Sequence, residues 1–113
     1  MSTLIMILSL LPTAQLAADY ARTLTQPSTS CEFVADLATV IMEKRQDDVP
    51  FRLMMKAINF DAYGSTLEQK HLARKLALKA YRIPIADTAA EKTRAVDSYR
   101  VARSAECSIG GQP

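Results

Sequence analysis

The chain has 113 residues, a formal net charge of +2, three glycines and no tryptophan. This length suits one domain, and so small a charge does not by itself call for a nucleic-acid partner, whose phosphates demand a marked basic excess. Abundant Ala and Leu, sparse Gly and few β-branched runs favour an all-α fold over any extensive sheet.

Residues 1–18 carry no charged side chain and centre on the run Leu4-Ile5-Met6-Ile7-Leu8-Ser9-Leu10-Leu11. The run has the length of the apolar region of an export signal and is too short to span a bilayer comfortably. Pro12 follows it, and Ala14, Ala17 and Ala18 supply small residues, so cleavage is expected after Ala17 or Ala18. Two features leave other readings open: the segment has no Lys or Arg, and Gln15 stands two positions before Ala17, where a small residue is preferred. The alternatives are a retained hydrophobic anchor and an ordinary buried helix. Residues 19–29, ending in Gln26-Pro27-Ser28-Thr29, read as a linker.

The chain has two cysteines, Cys31 and Cys107, which allow one intramolecular bridge. Such a pair suits an oxidising compartment, whereas the cytosol keeps thiols reduced. A bridge over 76 positions stabilises a domain by roughly 4 to 5 kcal/mol on the chain-entropy model. The competing reading is two unrelated buried thiols, since free cysteine is itself a buried residue type.

Helix-start signals recur after the linker. Thr29-Ser30-Cys31-Glu32 fits a capping box, in which a hydroxyl and a carboxylate satisfy the first free amides. A first helix is expected from about Ser30 to Gln46, with Val34, Leu37, Ala38, Ile41 and Met42 on its apolar stripe and Glu43 to Gln46 as its polar end. A second starts near Pro50, with Asp47 and Asp48 upstream of its positive end, and buries Phe51, Met54, Met55 and Ile58. The stretch from Asn59 to Gly64 is a loop, and Ser65-Thr66-Leu67-Glu68 is a second capping box. The third helix runs to about Arg82, with Leu72, Ala73, Leu76, Ala77 and Ala80 inward, and Pro84 ends it. Thr88-Ala89-Ala90-Glu91 opens a last helix that turns Ala95, Tyr99, Ala102 and Ala105 inward on the way to Cys107.

Cys31 thus begins the first helix and Cys107 closes the last, so antiparallel packing brings both sulfurs to one end, as a disulfide requires. The expectation is a small four-helix bundle-like domain over residues 30–108, closed by one disulfide, with a flexible tail over 109–113.

The order Cys31, an Ala-rich amphipathic helix, Arg45-Gln46, Val49-Pro50, Met54-Met55, Ala80-Tyr81 with Pro84, and a last Cys107 resembles small, signal-peptide-bearing, two-cysteine helical proteins of bacteria and their phages or prophages. The resemblance implies a secreted helical domain with one disulfide and transfers no catalytic residue.

Chemical motifs are few. Glu68-Gln69-Lys70-His71 has the Glu-x-x-His spacing of di-iron bundles, but the sequence has one histidine and such a site needs a second copy, so His71 is read as a solvated side chain and no metal or cofactor is expected. No Gly-rich phosphate loop or nucleophilic triad stands out, and no enzyme activity is expected. Lys75, Lys79 and Arg82 fall at four- and three-residue spacing and should form a basic stripe. It offers a docking surface for an acidic protein or for anionic headgroups, set against the simpler reading of a solvated face near a helix carboxyl end. Met54-Met55 has the same two readings, an adaptable binding surface or a core filler.

The function expected from the sequence is a small exported helical interaction protein, periplasmic or secreted, for instance an inhibitor, an adaptor or a phage-derived modulator of the cell envelope or of lysis. A protein partner is expected and a nucleic acid is not. The alternatives are a membrane-tethered form that keeps its apolar segment and a cytosolic helical binding protein.

Overall fold

The computed structural model describes residues 30–110. The expected export segment, the linker over 19–29 and positions 111–113 of the tail lie outside them. Four helices follow in order: α1 (Cys31–Gln46), α2 (Phe51–Asn59), α3 (Leu67–Ala80) and α4 (Ala89–Gly110), with no strand among the described residues.

The helix α1 is central and packs against the other three. The stripe expected from its spacing is buried, and Phe33, which that stripe omitted, joins it: Phe33, Val34, Leu37, Ala38, Ile41 and Met42 are each at most 1% exposed. Burial of each large apolar side chain stabilises the fold by roughly 1.5 to 3 kcal/mol. The cap of α1 lies one residue later than the Thr29 box implied. The Phe33 amide donates to Ser30 Oγ at 3.4 Å, so Ser30 is the cap and Glu32 contributes only its charge to the first turn.

The ends of α1 and α2 share one device. Beyond α1, the Asp48 amide donates to the Arg45 carbonyl and the Val49 amide to the Lys44 carbonyl, both at 3.0 Å. Beyond α2, the Asp61 amide reaches the Ile58 carbonyl at 3.2 Å and the Ala62 amide the Ala57 carbonyl at 3.1 Å. Each pattern turns the chain sharply and requires one left-handed residue. An aspartate fills it both times, Asp48 with φ 63° and Asp61 with φ 67°, a conformation that Asp tolerates better than most residues.

Within α2, Met54 and Ile58 are buried and Met55 is half-buried against the core, so the methionines act as fillers. Phe51 departs from its expected burial: it is 37% exposed and meets the Tyr81 ring edge-on, with centroids 5.2 Å apart. The capping box of α3 is real but also shifted by one. Thr66 Oγ1 accepts from the Gln69 amide at 3.1 Å, while Gln69 Oε1 accepts from the amides of Thr66 and Ser65. Buried Gln69 crowds the preceding turn, where a Cβ on Gly64 (φ 125°) would stand 2.6 Å from the Gln69 Cβ. The expected inner face of α3 is buried, but the helix stops at Ala80 rather than Arg82.

The Thr88 Oγ1 accepts from the Glu91 amide at 3.1 Å and starts α4. This helix runs on through Ile109 to Gly110, where a flexible tail was expected. Its inner face is also corrected: Tyr99 and Cys107 are buried and Val96 packs on the core, whereas Ala95 and Ala102 are half-buried and Ala105 is exposed. Position 105 lies two residues before Cys107, which turns it towards solvent when Cys107 faces inward.

The helices α1 and α4 are antiparallel and joined at one end by the Cys31–Cys107 disulfide, with α-carbons 5.5 Å apart. Further along, Arg100 Nη1 donates to Asp36 Oδ1 at 2.9 Å and to Thr39 Oγ1 at 3.0 Å. At the opposite end, α1 holds the connection between α3 and α4. Gln46, read from the sequence as part of a polar end, is 2% exposed. Its Nε2 donates to the Pro84 carbonyl at 3.1 Å and its Oε1 accepts from the Ala86 amide at 2.9 Å. Beside it, Arg45 Nε donates to the Ile83 carbonyl at 2.9 Å, and the guanidinium lies over the Tyr81 ring. A disulfide belongs to an oxidising, non-cytosolic environment, and no helix among the described residues is long and apolar enough to cross a membrane.

Replacing Cys31 or Cys107 with Ala is expected to lower stability by roughly 4 to 5 kcal/mol in either case, and the double replacement by no more, because all three remove the same loop constraint. Denaturant unfolding in non-reducing buffer checks this, and additive losses would contradict it. Gln46→Leu leaves the Ala86 amide and the Pro84 carbonyl without their partner and is expected to cost about 2 kcal/mol, read as a drop in melting temperature.

Candidate functional site

The third helix carries Lys75 and Lys79 of the expected stripe together with Lys70 and Arg74, and their surroundings divide them. Lys70 Nζ pairs with Asp61 at 2.6 Å, and Arg74 donates twice to Asn59 Oδ1. These two cations fasten α3 to the end of α2. Lys75 and Lys79 point elsewhere, onto a hollow between α1, α3 and α4 with a volume of about 180 Å³.

The floor of this hollow is apolar, formed by Val34 of α1 and Leu72 and Leu76 of α3. Its rim holds Lys75 and Lys79 on one side, and Arg103 and Glu106 of α4 on the other. Helical spacing explains the arrangement: positions 72, 75, 76 and 79 share one face of α3, and 103 and 106 share one face of α4. Glu106 is the local counterion, with Oε2 3.0 Å from Arg103 Nη2 and Oε1 3.7 Å from Lys79 Nζ. Lys75 makes no ion pair among the described residues. Arg103 was not singled out in the sequence; its guanidinium lies over the Tyr99 ring, 4.9 Å from the centroid. Its Nε is buried and has no hydrogen-bond partner among the described residues.

Arg82 does not complete the expected stripe. The helix ends two residues earlier, and Arg82 borders a separate shallow depression with Phe51, Leu78 and Tyr81. There Tyr81 donates its phenol proton to the Val49 carbonyl at 2.7 Å, and burial raises its pKa despite the nearby Arg45. His71 is exposed on α3, and no group of three or more His, Cys, Asp or Glu side chains converges on a metal position among the described residues.

Tyr99 supports the hollow from beneath. Its hydroxyl donates to the Leu76 carbonyl at 2.6 Å, tying α4 to α3. Burial pushes the phenol up to about 12, with Arg103 pulling the other way. The folded chain therefore holds this proton more tightly than the unfolded chain. The resulting stabilisation is complete below an ordinary tyrosine pKa of about 10 and is lost as pH rises from there through about 12. Tyr99→Phe is expected to cost about 1 kcal/mol at neutral pH, the worth of one buried hydrogen bond. It should also make the alkaline loss of stability shallower, though not abolish it, since Tyr81 is raised in the same direction. Denaturant unfolding of both proteins at neutral pH and at about pH 11 checks the sign.

No protein-family model matches this chain, and comparison with curated proteins and with solved structures finds no similar chain.

Proposed function

We propose that this chain is a small exported interaction protein, periplasmic or secreted, that holds an acidic protein partner against the basic rim of the α1–α3–α4 hollow. The observation that carries the reading is the meeting of Lys75, Lys79 and Arg103 around a hollow with an apolar floor. Exposed ion pairs contribute little each. Their service is to steer and orient a partner of opposite charge, while affinity comes from the desolvated apolar centre. Export is supported by the Cys31–Cys107 bridge together with the uncharged apolar run before it. In an exported setting, such a protein acts by occupying another protein's surface, for instance as a phage-derived modulator of the cell envelope or of lysis.

The role is binding rather than turnover. The carboxylate at the hollow, Glu106, is already engaged by Arg103 and Lys79.

The test is crosslinking and pull-down from the native envelope with the unaltered chain and with the Lys75→Glu, Lys79→Glu double variant. Both lysines are exposed, so the variant is expected to keep its melting temperature and lose its partner. A partner retained by the folded variant would remove the hollow from the interface. In the same cells, an alkylating reagent should find both cysteines blocked; two reactive thiols would place the chain in the cytosol.

A further inference from the structure

We infer that the hollow is a socket for one apolar side chain of an acidic peptide segment, with Glu106 as a resident counterion that the incoming carboxylate displaces. The inference rests on the interaction reading above and names what is recognised. Size sets the first limit. An apolar cavity of about 150 Å³ accepts a benzene ring, so a hollow of about 180 Å³ takes one phenyl- or leucyl-sized group and leaves the rest of its bearer outside. The floor of Val34, Leu72 and Leu76 lines the hollow with apolar side chains.

Charge sets the second limit. Lys75, Lys79 and Arg103 face one carboxylate, so the rim is strongly positive even with Glu106 in place and complements acidic residues flanking the apolar anchor. Two details favour exchange of Glu106, although its Oε2 stands 3.0 Å from Arg103 Nη2. Its side chain is 53% exposed, and its reach to Lys79 is long, at 3.7 Å. Meanwhile Arg103 keeps a buried Nε–H without an acceptor among the described residues. A buried donor in that condition is uncommon. A carboxylate entering beside the apolar anchor pairs with the exposed rim cations, and Glu106, on the same helix as Arg103, swings outward.

The test uses the full oxidised chain and three acetylated, amidated peptides at low salt: Glu-Phe-Glu, Gln-Phe-Gln and Glu-Ser-Glu, titrated by calorimetry or by amide NMR shifts. The Glu-Phe-Glu peptide is expected to bind at least about ten-fold tighter than either of the others, a ratio that corresponds to about 1.4 kcal/mol. Its shifts should centre on Val34, Leu72 and Arg103. Glu106→Gln should tighten its binding by about three-fold, as removal of an exposed competitor allows, and Lys79→Gln should weaken it. Equal binding of Glu-Phe-Glu and Glu-Ser-Glu would overturn the socket, as would weaker binding to Glu106→Gln or no binding by Glu-Phe-Glu. If the native partner is lost from the charge-reversal variant while the peptide ranking fails, the interaction role stands and the socket falls. If the ranking holds while no partner is captured, the socket stands alone.

Discussion

The covalent closure of α1 onto α4 governs the geometry of the whole domain. These two helices lie far apart in the sequence, and a bridge across 76 positions removes much of the freedom that an unfolded chain of this size enjoys. A domain this small buries a modest core, and the largest share of that core belongs to α1. Once α1 is fixed against α4 by the bridge and by the Arg100 contacts to Asp36 and Thr39, its remaining faces are open only to α2 and α3. The short left-handed turns at Asp48 and Asp61 then deliver those two helices to it.

The hollow is a product of the same packing. The alanines at 73, 77 and 80 are fully buried and let α3 settle closely on α1. Near its rim the residues become long and charged, and Lys75, Lys79, Arg103 and Glu106 stand around space that no side chain fills. The Tyr99 hydroxyl bond to the Leu76 carbonyl fixes the α3 and α4 walls relative to one another. The site is therefore preorganised by main-chain and core contacts, while its charged tips keep the mobility of exposed side chains.

Much of this architecture was legible in the residues. Three- and four-residue spacing located the four helices, and the placement of Cys31 and Cys107 at outer helix ends gave the antiparallel bridge. The shifts arose where neighbouring residues offer the same chemistry. Thr29 and Ser30, and likewise Ser65 and Thr66, are adjacent hydroxyls that both suit a cap, and at the second pair Thr66 is the cap, answered by Gln69. On α4 the alanines suggested a face, but counting back from Cys107 by three and four reaches 103, 99 and 96, the face that the fold uses. Gln46 and Arg45 were opaque because their partners are main-chain atoms about forty residues away. Arg103 was equally hidden, since its meaning depends on which side of α4 meets α3. The basic pair Lys75 and Lys79 could be read locally; Arg82 could not, because the helix carrying it ends early.

The grip of Gln46 and Arg45 on the connection from α3 to α4 is made to carbonyl and amide groups of Ile83, Pro84 and Ala86. Every amino acid has a carbonyl, and all but proline an amide proton, so the grip is indifferent to the identity of most of the residues it holds. Mutational drift is therefore tolerated at exposed Pro84 far better than at the two gripping side chains. A lineage of such domains would accumulate variety along the strap while keeping the buckle unchanged.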